Sequence, residues 1–174
     1  MPKYISVQDA INKGNGKVSL RGWCHRERGS NKLKFIVLRD SSNIIQCVIE
    51  KAKVPEDLWT DVKSIQIETS LELTGTIKED KRAPTGYEIA VKELSIIGAS
   101  DKFPIQKDVS TEFLADNRHL WIRSRKMTAI MKVRSTYIQA RERFFEEKGY
   151  FRFDAPILQP TQSEGGSTVF SVNY

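Results

Sequence analysis

Apolar positions along the second half of the chain recur with a helical period. Ile130, Val133, Tyr137, Ala140 and Phe144 follow one another at steps of 3, 4, 3 and 4, which places them on one face of a helix beginning near Lys126. Lys148-Gly149 closes that helix with a late cation and a glycine suited to a left-handed cap. Tyr150, Phe151 and Phe153 then predict a short strand, stopped at Pro156, which has no N–H to give to a sheet.

The first hundred residues have a different period. Residues 17–24 alternate, with Val18, Leu20 and the Gly22-Trp23 step assigned to an inner face. Residues 34–40 and 44–49 read as two strands joined through the turn-forming Asp40-Ser41-Ser42-Asn43, a hairpin. A helix is expected over 55–62, opened by proline and followed by acids. Further strands are expected over 64–69, 71–77 and 88–97. Five or six strands with a helix between the third and fourth are the pattern of an OB-fold, a small Greek-key barrel, and other small barrels share most of it. Polar, irregular residues 101–123, with one helical turn at 111–114, form a hinge, so the expected domains are 1–100, 101–123 and 124–174. Residues 160–170 read as a glycine-bearing loop before a last strand at 169–174.

Composition changes this picture little. With 39% hydrophobic and 29% charged residues in 174, the chain has the balance of a soluble globular protein. Its net charge of +6 permits a polyanionic partner without requiring one. Cys24 and Cys47 stand apart from any Cys-x-x-Cys pair and are expected to fill strand interiors. His25 and His119 are the only histidines and lack partners at ligand spacing, so no metal site is expected. No signal peptide and no apolar run of about 20 residues is present, which predicts a cytoplasmic protein away from membranes.

The chemistry on the barrel leans toward nucleic acid. Lys17, Arg21, Arg26, Arg28, Lys32 and Lys34 crowd the first hairpin against the single acid Glu27. Such a cluster attracts phosphates, with affinity falling as salt rises. Phe35 beside it offers a stacking platform for an unpaired base, and Gln46 on the next strand carries a donor and an acceptor for a base edge. Taken singly, these features are better read as a solvated hairpin, a core phenylalanine and a surface glutamine, and it is their combination on adjacent strands that points to nucleic acid.

Together with Gly22-Trp23, Phe35-Ile36-Val37-Leu38-Arg39-Asp40, Ile44-Ile45-Gln46 and Gly86-Tyr87-Glu88-Ile89-Ala90-Val91, these residues resemble the anticodon-binding OB domain of class IIb aminoacyl-tRNA synthetases. The long helix, Gly149 and Pro156 resemble the first motif of the same family, which forms its dimer interface. The resemblance implies an all-β OB-fold barrel followed by the start of a class II α+β catalytic domain. It implies tRNA contacts by Arg26, Arg28, Phe35, Gln46 and Glu88, with Phe35 stacking on the central anticodon base, a uridine. Arg39-Asp40 is expected to knit the strand end rather than to touch a base. A homodimer interface is implied through Ile130, Val133, Tyr137 and Pro156. Ser163, Glu164, Gly165 and Gly166 match the mobile loop over the amino acid, where the acid faces the substrate ammonium.

His119-Leu120 followed by Arg123 resembles the asparaginyl branch, with the aspartyl enzymes as near relatives. The full enzyme of this family uses ATP and Mg2+ to activate asparagine and transfers it to tRNA. The arginine-bearing second motif and the Gly-rich third do not occur in these 174 residues, so no catalytic residue is assigned and the chain is expected to be inactive alone. A stand-alone RNA-binding module derived from a synthetase is the alternative from another class.

Overall fold

The computed structural model describes residues 3–105, 108–158 and 172, in two compact units, Met1–Asp108 and Val109–Tyr174. In the first unit five strands, β1 (Gly16–Gly29), β2 (Leu33–Arg39), β3 (Ile44–Glu50), β4 (Ser70–Glu79) and β5 (Tyr87–Gly98), close a barrel in the order β1-β2-β3-β5-β4. Neighbours run antiparallel except β3 and β5, which pair in parallel. Alternation drives the packing. Leu20, Ile36, Leu38, Ile45, Ile49, Leu71, Leu73, Ile77 and Ile89 point inward and are fully or almost fully buried. Trp59 and Val62 of helix α2 (Glu56–Ser64), between β3 and β4, join the same core. The fold is therefore the expected OB barrel.

Three local expectations are corrected. Residues 64–69 form a turn, not a strand. The chain leaves α2 at Ser64, and Glu68, with a positive φ of 69°, reverses it. The Glu68 N–H donates to the Cys24 carbonyl at 2.6 Å, so this turn is sewn to β1. The alternation of Ile65 and Ile67 mimics a strand because only Ile65 is buried in the core.

Trp23 lies on the outside, 46% exposed, while Gly22 faces inward. A side chain at Gly22 would collide with the Arg39 carbonyl oxygen, 2.4 Å from an added Cβ, so β2 crosses there too closely for anything larger. Finally, Tyr150, Phe151 and Phe153 are exposed and form no strand, because none of the described residues offers them a ladder. The strand expected over 169–174 lies outside the described residues except for the exposed Val172.

Helix α1 (Val7–Lys13) is an element that the apolar pattern does not predict. It opens with Ser6, whose hydroxyl accepts the Asp9 N–H at 3.0 Å, and closes at Gly14 with φ of 73°. It brings Val7 and Ala10 to the core, and the Val7 N–H donates to the Asp40 carboxylate at 2.8 Å.

In the second unit two short helices, α3 (Thr111–Asp116) and α4 (Arg118–Trp121), precede α5 (Arg125–Glu147). Ser124 caps α5 by accepting the Met127 N–H at 3.3 Å. The far end is a Schellman stop. Gly149 has φ of 83°, its N–H donates to the Glu146 carbonyl at 2.9 Å, and the Tyr150 N–H reaches the Phe145 carbonyl at 3.1 Å. The rings of Phe145 and Tyr150 meet edge to face at 5.7 Å, the apolar contact that accompanies this motif. Along α5, Ile130, Val133, Tyr137 and Phe144 are all exposed.

Candidate nucleic-acid interface

A β-bulge shapes the outer face of the barrel. Trp23 pairs with Arg39 and Cys24 with Leu38, after which the register slips, so that Arg26 pairs with Val37 and Arg28 with Phe35. His25 is the extra residue. Without the slip, Trp23 and Arg26 would point to opposite faces. With it, Trp23, Arg26 and Arg28 share the outer face with Phe35, Val37 and Arg39 of β2.

Register then carries this face across the sheet. Val37 lies beside Gln46 of β3, and Gln46 beside Glu88 of β5. The Arg28 guanidinium sits 5.0 Å from the centre of the half-buried Phe35 ring, a cation–π contact, and donates to the Gln46 amide oxygen at 3.4 Å. The Gln46 amide nitrogen donates to the Glu88 carboxylate at 3.1 Å. The other Glu88 oxygen takes the Lys78 ammonium from β4 at 2.9 Å. Arg28, Phe35, Gln46 and Glu88 thus form one connected row over β1, β2, β3 and β5.

Gln46 and Glu88 are both only 6% exposed, so their polar atoms must be satisfied within the row. An ionised carboxylate only accepts, which forces the Gln46 nitrogen to face Glu88 and its oxygen to face Arg28. The amide is held in one orientation and presents its remaining donor and acceptor capacity in fixed places. Hydrogen bonding to Glu88 raises the Lys78 ammonium above its ordinary range. The sequence gives no reason to place Lys78 at the site, since its role depends on pairing opposite Glu88 across β4 and β5.

The basic cluster divides. Arg21 stacks 3.8 Å over the Tyr4 ring and pairs with Glu72 at 3.0 Å, so it serves to pin the N-terminal segment. Lys34 is neutralised by Glu27. Arg26 and Arg28 are exposed and, among the described residues, engage no carboxylate. Removing both as Arg26→Ala/Arg28→Ala is therefore expected to lower the slope of log affinity for RNA against log salt by about 1.4, the share of two single-strand phosphate contacts. Titrations at several salt concentrations read this directly, and an unchanged slope would mean that neither cation meets a phosphate.

Arg39 forks onto Glu68 at 2.7 and 2.8 Å and contacts His25 Nδ1 at 3.2 Å, while Asp40 accepts from Ser42 and Asn43 in its own turn. The pair ties the strand end, as the sequence predicts. Both cysteines are buried, and burial pushes the Cys24 thiol up to about 12 and Cys47 higher still, leaving them as core packing. Among the described residues no group of three or more His, Cys, Asp or Glu could hold a metal. Ser163, Glu164, Gly165 and Gly166 lie outside the described residues. Pro156 is described and exposed.

Residues 18–97 match the OB-fold nucleic acid binding domain and residues 110–174 match class II tRNA synthetases (D, K and N). An OB-fold barrel of the nucleic acid binding kind followed by the start of a class II tRNA synthetase domain is thus what the fold and the two matches define. The chain is 49% identical over 172 residues to the asparagine–tRNA ligase of Thermoplasma acidophilum, covering 98% of itself and 40% of that protein. Asparaginyl-tRNA synthetase from Pyrococcus horikoshii, solved with asparaginyl-adenylate, superimposes with a TM-score of 0.85 at 36% identity, over 100% of this chain and 41% of that one. An aspartyl-tRNA synthetase from Entamoeba histolytica, at 17% identity and a TM-score of 0.78, shares the fold.

Over its whole length the chain is similar to the N-terminal portion of asparagine–tRNA ligases, with an OB-fold nucleic acid binding domain followed by the start of a class II tRNA synthetase domain. It spans about 40% of the length of the curated relatives it matches.

Proposed function

We propose that the barrel binds the anticodon loop of tRNA(Asn), with Phe35 stacking on the central base, Gln46 and Glu88 meeting base edges, and Arg26 and Arg28 holding phosphates. The observation that carries this reading is the connected row Arg28–Phe35–Gln46–Glu88 on one outer face of the barrel. It joins an aromatic platform, a cation and an orientation-locked amide, which is the chemistry an unpaired base needs. The proposed organisation is an anticodon domain over 1–100, a hinge over 101–123 and the beginning of a catalytic domain over 124–174.

The whole enzyme is proposed to activate asparagine with ATP and Mg2+ and to transfer it to its tRNA in the cytoplasm. Class II tRNA synthetases generally use both ATP and Mg2+. Among the described residues no cluster of side chains fits a metal ion, so no step of activation is assigned to them. Ser163, Glu164, Gly165 and Gly166 are proposed to close over the amino acid. Among the described residues no helix is long and apolar enough to cross a membrane. Charging assays on the full-length enzyme test the substrate, with asparagine expected to be esterified to tRNA(Asn). Charging of aspartate instead would move the protein to the sister specificity.

A homodimer is proposed through α5 and Pro156. Support comes from the row of exposed apolar side chains on α5, with Ile130 46%, Val133 70% and Tyr137 67% accessible. Sedimentation equilibrium of the full-length enzyme is expected to give twice the chain mass, and a monomer at micromolar concentration would contradict it.

A further inference from the structure

The outer face that holds Phe35 carries a second aromatic ring. Trp23 is 46% exposed, the largest side chain on the barrel left open to solvent. Its neighbours across the sheet are small, since it pairs with Ser70 of β4 and Ser70 pairs with Gly98 of β5. Neither of these two residues is large enough to cover the indole. On the other flank, Arg39 is drawn to Glu68 by its two-pronged contact at 2.7 and 2.8 Å.

An open tryptophan on a strand is costly to leave in water, because its apolar area is large. Pairing with Arg39 puts it on the same face as Phe35, and the bulge at His25 brings Arg26 and Arg28 to that face. From these observations we infer that Trp23 is a second base platform, taking a nucleotide of the anticodon arm outside the triplet. This rests on the proposed binding of the anticodon by Phe35.

Spacing sets which nucleotide it takes. Phe35 and Arg39 are four residues apart on β2, about 13 Å at the usual strand rise, and Trp23 lies directly across from Arg39. That is several times the roughly 3.4 Å step between stacked bases. The two rings therefore hold bases that are not neighbours in one stack. With the central anticodon base on Phe35, Trp23 reaches a flanking loop nucleotide. Stacking makes no demand on base identity, because every base has a π-face. Trp23 thus adds affinity and fixes the path of the loop, while Gln46 and Glu88 read the triplet.

The test is a set of anticodon stem-loop RNAs, each lacking one loop base, titrated at fixed salt against the full 174-residue chain and its Trp23→Ala, Trp23→Phe and Phe35→Ala variants. Trp23→Ala is expected to weaken binding of the intact stem-loop by roughly 5- to 150-fold, the range for one stacked base, and Trp23→Phe to restore most of it. Removing one particular base outside the triplet should cost nothing further in Trp23→Ala, whereas Phe35→Ala should couple to a base inside the triplet. Binding unchanged in Trp23→Ala, with Phe35→Ala still defective, overturns the inference and leaves the ring to a protein surface. An equal loss for every RNA also overturns it, since the effect would then pass through the fold. If Phe35→Ala couples to no base, the anticodon reading itself fails.

Discussion

Phe35→Ala is expected to weaken binding of the tRNA(Asn) anticodon arm by roughly 1–3 kcal/mol, the usual worth of an aromatic base platform. The ring is half-buried on the outer face and takes no part in the hydrophobic core cluster. Its loss should leave the urea midpoint near that of the parent, which separates a binding defect from a folding one. Two effects combine in the variant. The base loses its stacking surface, and Arg28 loses the ring that its guanidinium faces at 5.0 Å. Arg28 also donates to Gln46, so a displaced guanidinium disturbs the amide that presents a donor and acceptor to the base. Equal affinity of parent and variant in a fixed-salt titration would remove Phe35 from the site.

Gly75→Ala tests the barrel itself. A Cβ at Gly75 would lie 2.4 Å from the Ala90 carbonyl oxygen and 2.7 Å from Ile89 Cγ2. The first is backbone of the adjoining strand and cannot swing aside. Gly75 also sits where the register between β4 and β5 shifts, at Thr74/Gly75, so the bulge and the tight approach share one residue. Forcing a methyl into this space is expected to cost about 1–3 kcal/mol. With an m-value of roughly 1–3 kcal/mol/M for a small protein, the urea midpoint should fall by about 1 M. Strands β4 and β5 carry Lys78 and Glu88, so RNA binding should weaken as well. A variant with an unmoved midpoint would show that the strands separate there at little cost.

Both predictions depend on features that the sequence reveals unequally. The hairpin of β2 and β3, strands β4 and β5, and the helices α2 and α5 are legible because their apolar positions hold one period from end to end. Helix α1 has too few apolar residues for a period. Its signal is Ser6 followed at the third position by Asp9, with Gly14 beyond the end, a cap pattern rather than an amphipathic one. Residues 64–69 mislead because alternation over six positions does not distinguish a strand from a turn that buries Ile65 and Thr69. Trp23 misleads for a different reason. Its own side of the strand is fixed by Gly22, whose α-carbon faces the Arg39 carbonyl, and its company on that side is fixed by the slip at His25. Neither a close approach nor a bulge leaves a mark in a hydrophobic pattern.

The site is legible only in part for the same reason. Arg28, Phe35, Gln46 and Glu88 are ordinary residues one at a time, and the resemblance to the synthetase barrel is what groups them. Their hydrogen bonds, and the arrival of Lys78, come from strand pairing between segments far apart in sequence. Tyr150, Phe151 and Phe153 show the opposite case, in which a strand-like pattern has no ladder among the described residues.

The most direct test of the anticodon reading is a fixed-salt titration of the unmodified chain with two stem-loop RNAs. One carries the asparagine anticodon, and the other has its central uridine replaced by a purine. The locked amide of Gln46, with Glu88 beside it, predicts tighter binding of the first by roughly tenfold or more, the factor that about 1.4 kcal/mol sets. Equal affinity for the two would contradict anticodon recognition and reduce the barrel to a surface that binds RNA by charge alone.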